Sequence, residues 1–196
     1  MKLDSIHDLQ GVYRKVLNAM SRPGVIENIK EEAEKVDIEM DCFKGTFLLM
    51  LMLLDGEVTF NIISEDPMSI TSLVSQMTYA KIRPLDEADY IFVLKDANSK
   101  KLALAYRKGK LGDLVNPNSS ATIIAEFEQI KEGSQLEFIG PGIKEVNRIS
   151  ISENRSWIRA RKEKNQEYPL GLDGIYIDEN SNVMCLPRTT QVKEES

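Results

Sequence analysis

Histidine occurs once in this chain, at His7, and cysteine twice, at Cys42 and Cys185. The cysteines are far apart and form no Cys-x-x-Cys pair, so neither a disulfide framework nor a zinc knuckle is indicated, and two reduced core thiols are expected. With a single histidine, any metal site must draw on carboxylates or cysteine, and a Ser-His-Asp arrangement can use only His7. His7 falls in the first turn of a predicted helix, where a partly exposed polar side chain is the plain reading. Long apolar runs are also missing. The densest, Phe47 to Leu54, is eight residues, whereas a helix needs roughly 20 to cross a bilayer. The opening residues lack the apolar core and small-residue cleavage site of a signal peptide, so a soluble, cytoplasmic chain without a membrane partner is expected.

Glycine loops are equally scarce. Neither G-x-x-x-x-G-K-[ST] nor G-x-G-x-x-G occurs, and Gly140-Pro141-Gly142 reads as a strand-ending turn rather than a dinucleotide site. No G-x-S-x-G elbow and no H-E-x-x-H helix is present. Excess positive charge is absent as well: a formal charge of -6 opposes unspecific attraction to nucleic acid or anionic membrane. Arg155, Arg159, Arg161, Lys162 and Lys164 surround Trp157, but Glu153 and Glu163 dilute them, so a solvated helix face or a protein interface is expected rather than an RNA site. The carboxylates Asp55, Glu57, Asp86, Glu87 and Asp89 read as turn residues, because acid/base pairing depends on a proximity that spacing does not show.

What is present is an ordinary globular composition. A hydrophobic fraction of 42% over 196 residues, undivided by any Pro/Gly/Ser-rich stretch, predicts one domain over residues 1–190 with a frayed polar tail at 191–196. Ser5 and Asp8 resemble a capping box ahead of Ile6, Leu9, Val12, Val16, Leu17 and Met20, which recur at helical spacing to about Ser21. Arg22-Pro23-Gly24 stops that helix, and a short strand is expected at Val25 to Ile29. Thr46 to Leu54 is apolar all round, the pattern of a buried helix.

Val58 to Ile63 reads as a strand, and Asp66-Pro67 as the start of a helix carrying Ile70, Leu73, Val74 and Met77 on one face. Tyr90 to Leu94 is a central strand covered on both faces. Ala103 to Tyr106 is ambiguous. Ala121 to Phe127 and Leu136 to Ile139 are further strands, separated by a charged turn at Glu128 to Gly133, and Val146 to Ile151 alternates. Ser152 opens a helix through Trp157 to about Gln166. Ile175-Tyr176-Ile177 and Val183 to Leu186 flank Asn180-Ser181-Asn182 as a hairpin. Strands interleaved with helices predict a three-layer α/β sandwich with a mixed sheet.

Two arginines sit beside chain breaks: Arg22 before Pro23-Gly24, and Arg188 in Pro187-Arg188-Thr189-Thr190. Arginine's planar fork suits a carboxylate or phosphate, and neighbouring hydroxyls complete an anion pocket, so Arg22, Arg188, Thr189 and Thr190 are candidate anion-binding residues. The competing reading has both arginines bonding carbonyls or a nearby aspartate. No catalytic residue is assigned, and no metal site.

Several segments together resemble one family, the H subunit of the bacterial carbon-phosphorus lyase system for phosphonate utilisation. They are His7-Asp8 and Arg14 leading into Met20-Ser21-Arg22-Pro23-Gly24, then Leu53 to Glu57, Ala121-Thr122, Gly140-Pro141-Gly142, Tyr168 to Asp173, and Leu186 to Thr190. Asn118-Ser119-Ser120 departs from the glycine expected before Ala121. The resemblance implies a fold similar to the large domain of pyridoxal-phosphate-dependent transferases without the cofactor site, and hence no cofactor. It also implies a homodimer when isolated, and action with the G, I, J and L subunits. In that system G, H, I and L transfer ribose triphosphate from ATP to methylphosphonate, while the radical step belongs to J. Three readings follow: a non-catalytic assembly subunit inactive alone, a contributor holding a phosphate or phosphonate at Arg22 or Arg188, and a stand-alone anion-binding module.

Overall fold

The computed structural model describes residues 3–4, 6–97, 99–152 and 155–194. In chain order the elements are α1 (His7–Ser21), β1 (Glu27–Asn28), α2 (Lys30–Ala33), α3 (Lys44–Leu53), β2 (Thr59–Ile63), α4 (Met68–Thr78), β3 (Lys81–Ile82), β4 (Tyr90–Val93) and α5 (Ser99–Lys108). There follow a 3-10 turn (Pro117–Ser119), β5 (Thr122–Phe127), β6 (Ile130–Ile139), β7 (Asn147–Ile151), α6 (Ser156–Lys164), β8 (Asp173–Asp178), β9 (Asn182–Leu186) and β10 (Gln191–Glu194). Seven strands form one mixed sheet in the order β1-β9-β8-β5-β4-β2-β3, and β10-β6-β7 form a second, antiparallel sheet. Strands β3, β2, β4, β5 and β8 run parallel, and β9 and β1 add antiparallel pairings. The three-layer α/β sandwich with a mixed sheet is therefore what the chain forms.

Strand alternation explains why there are two cores. Successive side chains point to opposite faces, so Phe92, Ile124, Ile175, Ile177, Val183 and Cys185 share one cluster with α1, α3 and α4. Their neighbours Ile91, Val93, Ile123, Ala125, Phe127, Tyr176, Met184 and Leu186 join the other, with α5, α6 and the small sheet. Such strands are buried on both sides and read as continuous apolar runs, as Tyr90 to Leu94 does.

Several expectations are corrected. Asp4 serves the start of α1: its carboxylate accepts the Ile6 and His7 N–H groups at 2.9 and 3.0 Å. Ser5 lies outside the described residues. The ambiguous Ala103 to Tyr106 belongs to α5. Glu128 to Gly133 is not all turn, because β6 begins at Ile130, whose N–H donates to Asp178 at 2.9 Å and whose register partner is Ile151. Helix α6 starts at Ser156, not Ser152. The tail expected to fray from 191 pairs instead with β6, Gln191 opposite Ile139 through Glu194 opposite Leu136; residues 195 and 196 lie outside the described residues. The hairpin β8–β9 forms as expected, with Ser181 taking the left-handed position at φ 62°. Strand β9 is not an edge, however, because β1 covers it. Among the described residues no helix is long and apolar enough to cross a membrane.

At the carboxyl end of β5, Glu126 is only 4% exposed. Its carboxylate accepts the Phe43 N–H at 2.6 Å and the Lys95 N–H at 2.9 Å, tying the entry of α3 and the exit of β4 to the central strand. Burial pushes its pKa up from the ordinary 4.5, and the amide hydrogen bonds offset only part of that. A folded-state value above the unfolded one means that the linked stabilisation is full below pH 4.5 and is lost as pH rises through the folded value. Glu126→Gln should cost about 1–3 kcal/mol at the acid end, since its NH2 group faces one of the two amide donors. Urea unfolding across pH should show wild type and variant converging as pH rises; divergence would contradict this assignment.

Candidate functional site

A cavity of about 570 Å³ opens beside α6, walled by the segment after that helix, the loop after β9, strand β10 and Pro141. Its lining includes Arg161, Lys162, Arg188 and Lys193 and no carboxylate among the described residues. Positive charge thus gathers at one place in a chain whose overall balance is acidic.

Arg188 is held from several sides. Its guanidinium meets Asp173 at 2.7 Å and donates to Ser120 Oγ at 2.6 Å and to the Pro117 carbonyl at 2.8 Å. Its own N–H donates to Asp173 at 2.7 Å. The charge is spent on Asp173, and the arginine fixes the loop after β9 against β8 and the 3-10 turn. Thr189 lines the cavity, and Thr190 is buried with its hydroxyl unpartnered among the described residues. Arg22 is exposed and reaches back along α1 to Asn18 Oδ1, with 2.9 Å from Nε. The structure therefore brings Arg188, Thr189 and Thr190 together and leaves Arg22 outside the cavity lining.

Arg161 is the residue that sequence reasoning passed over. The sequence groups it with a solvated helix face or a protein interface, a description that suits exposed Arg159, paired with Glu163 at 2.8 Å. Arg161 instead lies one turn after the fully buried Trp157 on the same inward face and is 3% exposed. That i, i+4 relation to the only tryptophan was the available signal. Its Nη1 and Nη2 donate to the Thr190 and Pro187 carbonyls at 2.8 and 2.7 Å, while Nε has no partner among the described residues. None of the ion pairs among the described residues includes it. Beneath it lie Tyr106, Trp157, Phe127 and Tyr176, with Phe127 and Tyr176 stacked at 5.0 Å and the two tyrosine hydroxyls hydrogen-bonded to each other. Burial pushes both phenols up, and the positive charge of Arg161 offsets only part of it.

Other chemistry-bearing groups are occupied. His7 is exposed and pairs with Asp4 at 2.9 Å. Burial raises both thiols, Cys42 and Cys185, which disfavours a nucleophilic thiolate. Asp89 accepts from the Thr59 hydroxyl at 2.6 Å and meets Lys110 at 3.0 Å. Where β2 and β4 send their connections to opposite faces, the usual ligand crevice of open α/β sheets, Asp96 accepts from Ser64 Oγ at 2.6 Å and the Glu65 N–H at 2.7 Å. Among the described residues no cluster of three or more His, Cys, Asp or Glu side chains could hold a metal ion.

Three of the segments that carry the family resemblance, those around Pro141, Tyr168 to Asp173 and Leu186 to Thr190, contribute to the cavity wall. Asp173 and Arg188 pair, Ser120 just before Ala121 joins them, and Pro141 forms part of the wall. Gly142, at φ +83°, lies so close to α1 that a Cβ would stand 2.3 Å from the Ser21 carbonyl. Gly171, at φ +148°, leaves a Cβ only 2.9 Å from that of Arg188. Fold and site together define a three-layer α/β protein with a cationic cleft built from one crossover and the loop after β9. The model of the family described as "Bacterial phosphonate metabolism protein (PhnH)" matches residues 2–193, and the chain belongs to that family. It is 26% identical over 201 aligned positions, 98% of this chain and 94% of the relative, to the alpha-D-ribose 1-methylphosphonate 5-triphosphate synthase subunit PhnH of Rhizobium meliloti (strain 1021). It is 28% identical over 184 positions, 93% of this chain and 85% of the relative, to HtxG of Stutzerimonas stutzeri, described as a candidate C-P lyase subunit.

Arg188→Ala would leave Asp173 without its cation and release the loop from Ser120 and Pro117. The pair is partly exposed, so the expected cost is about 2–3 kcal/mol, below the roughly 3–5 kcal/mol of a fully buried pair. Denaturant melts should show this loss, with faster amide exchange at Thr189 and Thr190. An unchanged midpoint would mean that the clamp holds nothing.

Proposed function

We propose that this protein is the H subunit of a carbon-phosphorus lyase assembly, acting with G, I and L subunits in the transfer of ribose triphosphate from ATP to methylphosphonate, and with J, which carries the radical step. The observation that carries this reading is the family match across residues 2–193, together with a relative named as a synthase subunit and aligned over 94% of its length. Its role is assembly rather than independent turnover. Free nucleophiles and metal clusters are not what the described residues offer, whereas an interaction surface is. Ile6, Tyr13 and Leu17 follow helical spacing along α1 and are 65%, 56% and 53% exposed, beside half-buried Leu51 and Met52. Such an apolar stripe suits a protein interface.

The same surface serves a homodimer of the isolated chain. The hairpin edge expected from sequence does not serve, since β1 already covers β9. A stable dimer needs at least ~1,000 Å² of buried area, which the faces of α1 and α3 supply more readily than the two-residue strands at the sheet's margins.

Light scattering of the purified chain at micromolar concentration should report a dimer, and affinity capture from cells grown on a phosphonate should recover the G, I and J subunits. Tyr13→Asp with Leu17→Asp should weaken one or both without unfolding the chain, because these side chains are exposed. The chain alone should leave ATP and methylphosphonate unconsumed. A strict monomer that captures none of these subunits, with their genes expressed, would remove the assembly role.

A further inference from the structure

We infer that the cavity beside α6 is a binding site for an organic phosphate of nucleotide type. The argument starts from charge. Arg161 is a buried guanidinium tied only to carbonyls, with no carboxylate partner among the described residues. Removing a cation from water without a counter-ion is costly, and the cost falls when an anion arrives. Arg161 lies in the cavity wall, its Nη groups already engaged, so it acts as a fixed positive charge whose field is strong where water is excluded. Lys162 and Lys193 are exposed, line the same cavity and enter no ion pair among the described residues. Their ammonium groups can swing onto phosphate oxygens as charge-assisted donors. Arg188 is not a free cation, since Asp173 has it, but it holds the loop that forms the rim.

The organic part follows from the rest of the wall. Ile158, Leu170 and Val192 give an apolar surface, and the Tyr168 ring stands 78% exposed at the rim. A ring so placed can stack on a flat base, as aromatic side chains do in single-stranded nucleic-acid binders. At about 570 Å³, the space falls within the range of small-molecule and cofactor pockets, about 300–1,000 Å³, and exceeds what a bare phosphate fills. Cations on one side and an aromatic, apolar surface on the other match a nucleotide better than a bare oxyanion or a neutral ligand. This inference rests on the cavity alone and not on the assembly reading, so either can fail without the other.

The test titrates the full-length chain with ATP, methylphosphonate and inorganic phosphate at low salt, read by calorimetry and amide chemical shifts. ATP should bind saturably, with shifts centred on Thr189 to Lys193, and more tightly than either smaller anion. Lys162→Ala with Lys193→Ala, both surface changes, should weaken ATP by roughly tenfold or more, equivalent to about 1.4 kcal/mol, with the melting temperature unchanged. Tyr168→Ala should weaken ATP while leaving inorganic phosphate unaffected. No saturation by about 10 mM ATP, a regime weaker than ~−3 kcal/mol, would overturn the site, as would equal affinity in the double-lysine variant. Inorganic phosphate binding as tightly as ATP would overturn the nucleotide assignment.

Discussion

Taking both faces of a mixed sheet out of water leaves a chain little freedom over where polar groups go. In β5, alternation sends Ile123, Ala125 and Phe127 to one core and Ile124 to the other, so no face of that strand is left to carry chemistry. The carboxylates of β5 and β8 sit at or next to strand ends, and each is used to hold a loop: Glu126 at the end of β5, Asp178 at the end of β8, Asp173 at its start. Buried groups with satisfied hydrogen bonds specify geometry more than they add net stability. Of these three only Asp173 meets an opposite charge among the described residues, that of Arg188; Arg161 differs from all of them in being a buried cation, and it does so in the wall of the cavity.

The crossover from β5 to β8 shows how the site is built. Instead of a single helix it carries β6, β7 and α6, so that a second small sheet packs against one face of the large one. Helix α6 is pinned by Trp157 among Tyr106, Phe127 and Tyr176. With that face anchored, the following turn must present Arg161 to the loop after β9, and the more exposed residues of α6 to solvent.

Local chemistry made much of the fold legible in the sequence. Helical spacing marks α1, a β-branched and aromatic run marks β2, a continuous apolar run marks β4, and Asn180-Ser181-Asn182 marks the β8–β9 turn. What escaped depends on partners distant in the chain. Nothing near Ile130 announces a strand, because its support is Ile151 and Asp178. Gln191 to Glu194 looks like a solvated tail until β6 lies beside it. The same limit applied at the site. Pro187 to Thr190 marked the rim, but spacing could not show that Asp173 neutralises Arg188. Arg161 was hidden among charged neighbours on a short helix, and only its position one turn from Trp157 distinguished it.

Strand β1 closes the large sheet by pairing Glu27 with Val183 and Asn28 with Asn182, and α1 lies against β9, where the Cys185 thiol faces the Val16 carbonyl. The earliest secondary structure, though it also packs on α3, therefore lacks part of the surface it rests on until the last part of the large sheet exists. Pairings this distant in sequence cost loop-closure entropy before any contact repays it, which makes such topologies slow to fold. In the interval the apolar runs of β4, β5 and β8 are uncovered at once, a condition that favours association between nascent chains. Maturation of this protein is consequently a race between closing the sheet and clumping, run most safely when chains are dilute or attended by a chaperone.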